Sequence, residues 1–121
     1  MRIFLLTGFI LFFTIPLFTE DTALSIARRE IQTQCELIEK GDTAELKKHF
    51  TKRLQKHIVG FRIRRVQRIL PLYKLHDLVG SAEETTRGGK RIIIVKMRKG
   101  NPLTTLVEIN GKWYTDRMWF K

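Results

Sequence analysis

Five side chains in this sequence could move protons at a ligand: Tyr73, His76, Asp77, Tyr114 and Asp116. A carboxylate beside an imidazole, or a tyrosine near a carboxyl group, is equipment for general acid–base work. Tyr73, His76 and Asp77 fall where a helical half of the chain hands over to strands, a place where a cavity mouth is expected. Their spacing forms no activated acid–base pair, and a junction of capping and packing residues is the favoured account of them. Asp116, next to Arg117, reads as a solvated cross-strand charge. Tyr73, His76, Asp77 and Asp116 are the catalytic candidates, and none of them is compelling.

Metal chemistry finds less. His49 and His57 lie eight positions apart, which on one helix is two turns and about 12 Å, too far to share an ion. No Cys/His cluster, phosphate-cradling glycine loop or nucleophile elbow is present, so no metal and no cofactor is expected. Cys35 is the only cysteine, which excludes an intramolecular disulfide, and its place on an apolar helical stripe predicts an inert core thiol.

Charge is more informative. The chain carries 23 basic and 12 acidic residues for a net +11, and Leu46 to His76 contains ten cations and no acid. Such a field attracts polyanions and anionic lipid head groups. Lys48, Lys52 and Lys56 recur at four-residue steps and predict a cationic column on one helix, with Arg62, Arg65 and Arg68 following it. These six are the anion-binding candidates, and a merely solvated helix face is the alternative. Aromatic residues crowd the other end. Alternation along one strand would put Trp113 and Trp119 on one face and Tyr114 and Phe120 on the other. With Tyr73, the residues Trp113, Tyr114 and Trp119 are the candidates for lining a cavity that takes a small apolar ligand.

Compartment is read from the start of the chain. Ile3 to Phe18 is an uncharged apolar run of sixteen residues after Arg2, broken by Pro16 and followed by Glu20 and Asp21. A spanning helix needs roughly 20 apolar residues, so residues 1–19 read as a signal peptide or N-terminal anchor, and the protein as exported, periplasmic or secreted. Leu17, Phe18 and Thr19 make a poor cleavage site, which keeps the membrane anchor open, and no nearby cysteine supports lipid attachment. Export disfavours nucleic acid as the target of the cations.

Residues 20–121 then suit one domain with a modest core. Ala23, Ala27, Ile31, Cys35 and Ile38 predict an amphipathic helix capped by Asp21 or Thr22 and stopped by Gly41. Asp42 to Glu45 restarts a helix, on which Leu46, Phe50, Leu54 and Ile58 form a strict four-residue stripe. A third helix over 61–70 ends at Pro71. Strands follow at 78–85, 90–98, 103–109 and 112–120, joined through Gly88-Gly89, Gly100-Asn101-Pro102 and Asn110-Gly111. The fold class is α+β, with N-terminal helices packed on a curved antiparallel sheet.

A helix, the triplet Gly41-Asp42-Thr43, a second helix, a four-strand meander and the turn Asn110-Gly111-Lys112-Trp113-Tyr114 together resemble the cone-shaped, cystatin-like superfamily of nuclear transport factor two and ketosteroid isomerase. The chain looks like its small exported bacterial members, often compared with lumazine-binding-like domains. That resemblance implies a bent sheet wrapped round a helix, enclosing a cavity used for catalysis, ligand binding or dimerisation. It implies a binding or accessory domain of the cell envelope with a small apolar ligand or an envelope protein as partner, and a homodimer through the sheet. The alternatives are an isomerase or lyase using the cavity, and a surface that binds polyanions or anionic membranes through residues 46–76.

Overall fold

The computed structural model describes residues 22–121, so the apolar segment 3–18, read above as signal or anchor, lies outside the described residues. Helix α1 runs Ala23–Lys40. The Thr22 hydroxyl accepts the Ser25 N–H at 3.1 Å, and Gly41 closes the helix at φ 71°, a conformation that costs glycine little. Ala27, Ile31, Gln34 and Ile38 form its buried stripe. Gln34, not Cys35, holds the central position of that stripe, and Cys35 is half-buried beside it.

The expected second helix is broken. Helix α2 covers Thr43–Lys47 and α3 covers Lys52–Gln55, with residues 48–51 between them. The Thr115 N–H donates to the His49 carbonyl at 2.8 Å, and the Thr51 N–H donates to the Thr115 carbonyl at 3.0 Å, so Phe50 makes a parallel bridge to Thr115. These bonds satisfy a strand edge that would otherwise lack partners, and they outweigh the helical pattern of the sequence. The four-residue stripe survives as packing: Leu46, Phe50, Leu54 and Ile58 are all buried.

Helix α4 spans Gly60–Ile69 and tightens into a 3-10 turn at Leu70–Leu72, where Pro71 sits. A one-turn helix α5 covers Leu75–Leu78, so the first strand starts at Ser81 and not at the predicted Leu78. The four strands are β1 Ser81–Arg87, β2 Lys90–Lys96, β3 Pro102–Ile109 and β4 Lys112–Thr115, an antiparallel sheet in the order β1-β2-β3-β4. Gly88-Gly89 and Asn110-Gly111 take positive φ at both positions, as tight hairpins require. Gly80 is needed for another reason. A β-carbon there would lie 2.3 Å from the Arg98 Cα, because the link into β1 crosses the end of β2 in contact.

The last strand is shorter than predicted. It stops at Thr115, so Trp119 and Phe120 lie outside it and the expected alternation of 113/119 against 114/120 does not hold. The Asp116 N–H still bonds the Thr105 carbonyl at 2.8 Å, and the chain then brings Phe120 into the core. Its ring meets Phe50 edge-on at 6.0 Å and Trp119 edge-on at 5.0 Å. Ile93, Val95, Leu106 and Phe120 join Ile31, Ile38, Leu46 and Ile63 in one core cluster. Ile92 and Val107 pair on the opposite sheet face, outside that cluster. Among the described residues no helix is long and apolar enough to cross a membrane.

Candidate functional site

The sequence-derived acid–base candidates do not converge. His76 Nε2 stands 3.9 Å from Asp77 Oδ1, but Asp77 is bound to Arg98 Nη1 at 3.2 Å and its carbonyl takes the Arg98 N–H. Arg98 holds the Asp77 carboxyl below its usual range, which makes it a poor base. Tyr73 shares only an open cleft with Asp77, lined also by Leu72 and Met97. Asp116 is elsewhere and is not a cross-strand charge: it accepts the Thr51 hydroxyl at 2.8 Å and pairs with Arg53 at 3.3 Å, at the start of α3. Among the described residues no group of three or more His, Cys, Asp or Glu could hold a metal. The Cys35 thiol is pushed up to about 11, first by burial and then by the charges of Glu39 and Glu36.

A different polar group does converge, built from residues that spacing did not suggest. Glu30 on α1 receives His49 Nδ1 at 2.7 Å and Gln34 Nε2 at 3.0 Å. Gln34 Nε2 also donates to Thr115 Oγ1 at 2.7 Å, and Gln34 Oε1 accepts Trp119 Nε1 at 2.7 Å. Because an indole N–H only donates, the Gln34 oxygen must face Trp119 and its amine must face Glu30 and Thr115. The network is therefore directed, and every buried polar end of Gln34 is satisfied. The Glu30 hydrogen bond raises the His49 pKa above its ordinary value, against a lowering by burial, with the Glu30 and Glu45 charges adding to the rise. This dyad lines an open cleft of about 700 Å³ whose walls include Arg29, Lys48, Lys112, Trp113 and Tyr114. The signal in the sequence was a polar residue, Gln34, at a helical stripe position flanked by Ile31 and Ile38, with Glu30 one turn before it.

The ligand-lining candidates divide between two places. Trp113 and Tyr114 belong to the polar cleft, and the guanidinium of Arg91 lies 5.2 Å over the Trp113 ring. Tyr73 and Trp119 line a smaller apolar cleft of about 260 Å³, with Ile69, Leu70, Met97 and Phe120. The anion-binding candidates also separate. Lys48, Lys52 and Lys56 form no single column, because the break at 48–51 puts Lys48 at the end of α2 and Lys52 at the start of α3. Lys48 pairs loosely with Glu45 at 3.3 Å.

Helix α4 keeps its cations together. Ile63 and Val66 point into the core, so helical geometry places Phe61, Arg65 and Arg68 on the opposite face of α4. No ion pair among the described residues engages Arg62, Arg64, Arg65, Arg68 or Lys74. Beside them stand four large apolar side chains in contact with solvent: Phe61 is 56% exposed, Ile69 44%, Leu72 79% and Tyr73 45%. No family model, curated protein or solved structure matches this chain.

Proposed function

We propose that the protein is an exported binding domain that docks on anionic lipid through the outer face of α4 and the turn after it, with no catalytic role. The carrying observation is that Phe61, Ile69, Leu72 and Tyr73 are exposed among Arg62, Arg65, Arg68 and Lys74, cations that pair with no acid among the described residues. Exposed apolar side chains within a basic helix suit the boundary between head groups and acyl chains, where each part finds its own partner. The apolar cleft beside Ile69 and Tyr73 is smaller than the usual ligand pocket, and fits one acyl or aromatic group. The apolar run at residues 3–18 supports export, and as an uncleaved anchor it would hold α4 close to a bilayer.

The order of helices and the four-strand meander support membership of the cone-type superfamily named above, and that reading is ours. An isomerase or lyase is not favoured, since Tyr73, His76, Asp77 and Asp116 form no common site. The test is flotation of the full chain with vesicles of phosphatidylglycerol or of phosphatidylcholine, at low and high salt. Binding to the anionic vesicles that weakens with salt is expected. Equal binding to neutral vesicles, or indifference to salt, would overturn the proposal. Tight binding to heparin with none to vesicles would replace lipid by a soluble polyanion.

A further inference from the structure

We propose a second binding site, for a small oxyanion of the carboxylate or phosphate type, in the cleft between α1, the α2–α3 junction and β4, with His49 Nε2 as the ring atom that faces the ligand. The direction of the hydrogen bonds carries the inference. Trp119 Nε1 must donate to Gln34, Gln34 then donates to Glu30, and Glu30 accepts, so His49 Nδ1 carries its proton toward Glu30. One ring nitrogen is thereby committed inward and the other is left for the cleft. A carboxylate that holds an imidazole in one tautomer and orientation is how proteins prepare a histidine for a ligand.

The surroundings set the ligand's charge. Arg29 and Glu30 from α1, Glu45 and Lys48 from α2, and Lys112 and Tyr114 from β4 are the titratable groups on the walls. Glu30 is occupied by two donors at 3.0 Å or less, and Glu45 faces Lys48 at 3.3 Å. Lys48 and Lys112 balance the two carboxylates, so the charge on His49 decides whether the cleft favours an anion. When protonated, His49 tips the cleft toward an anion, and its bond to Glu30 sustains that form above the ordinary histidine value. A charged oxyanion there accepts from the imidazolium and from Lys48 or Lys112, the short charge-assisted bonds that fix such groups. The volume of about 700 Å³ leaves room for a body carrying the charged group.

The experiment is an NMR titration of the full chain with benzoate and, separately, inorganic phosphate, following all three histidine rings from pH 5.5 to 9. Saturable shifts at His49, absent at His57 and His76, are expected, with His49 titrating at higher pH when the anion is bound, as linkage requires. Binding should fade as pH rises through the His49 pKa. Lys112→Glu, an exposed change, should weaken binding at least about tenfold, the worth of one charge-assisted bond. In His49→Gln, benzoate binding followed by calorimetry should lose its pH dependence. Benzoate without phosphate, or the reverse, identifies which oxyanion is preferred. Shifts that never saturate, that match those of His57 and His76, or that persist undiminished at His49 in Lys112→Glu mean an adventitious ion only and overturn the site. Arg65→Glu/Arg68→Glu should leave this titration unchanged, so loss of vesicle binding and loss of this site are separately visible.

Discussion

The polar cleft and the outer face of α4 both carry cations, yet they treat charge in opposite ways. At the cleft, Glu30 takes two hydrogen bonds from His49 and Gln34, and Gln34 is anchored in turn by Thr115 and Trp119. On α4, Arg65 and Arg68 pair with no acid among the described residues, and Leu72 in the turn after it is 79% exposed. Partly buried polar groups must be satisfied from within, because an unmade bond there costs the full desolvation of the group. Exposed cations carry no such requirement, and their field reaches outward for about a Debye length. The first region therefore speaks to geometry and the second to long-range attraction.

The comparison breaks hardest at Gln34. Gln34→Leu leaves the Trp119 N–H without its acceptor and strips one donor from Glu30, and should destabilise the fold by about 3 kcal/mol. Urea denaturation measures it, and vesicle binding by the remaining folded fraction should not change. On the other side, Arg65→Ala/Arg68→Ala should weaken binding to anionic vesicles by roughly thirtyfold, at about 1 kcal/mol per cation near the surface. Their stability should stay near that of the parent, since neither residue is in an ion pair among the described residues. Leu72→Ala removes apolar contact instead of charge. It should cost about tenfold in vesicle affinity without altering the salt dependence, which vesicle titrations at two ionic strengths would separate.

The smallest expected effect sharpens the contrast through pH. The folded-state pKa of His49 is raised, so the dyad's contribution is complete below the unfolded value of about 6.5 and is lost as pH rises through the folded one. Glu30→Gln should therefore destabilise the protein more at pH 5.5 than at pH 9, as thermal melts would report. Arg65→Ala/Arg68→Ala should show no such pH trend. Equal destabilisation by Glu30→Gln at both pH values would mean that His49 is not held charged by Glu30.

Local signals were legible where local energies decide. Thr22, Gly41, Gly88-Gly89 and Asn110-Gly111 perform the caps and turns that their chemistry predicts, and α4 starts and stops where the periodicity and Pro71 place it. At 48–51 the helical stripe is real, but the bonds offered by the free edge of β4 outcompete the helix it would form. Gln34 was overlooked because a glutamine inside an apolar stripe has no meaning until its partners, from residues 115 and 119, arrive. The supposed site at Tyr73, His76, Asp77 and Asp116 dissolved because Arg98, Arg53 and Thr51 claim the two carboxylates.

By itself, then, the sequence determined the helix-then-meander order, the turns and the run of cations without acids, all matters of backbone preference and composition. Tertiary structure alone decided that Glu30, Thr115 and Trp119 meet on Gln34 with His49 on Glu30, and that the cations of α4 pair with no acid among the described residues. Hydrogen-bond partners and ion pairs depend on which distant segments are brought within about 3 Å of one another, and no local pattern carries that distance.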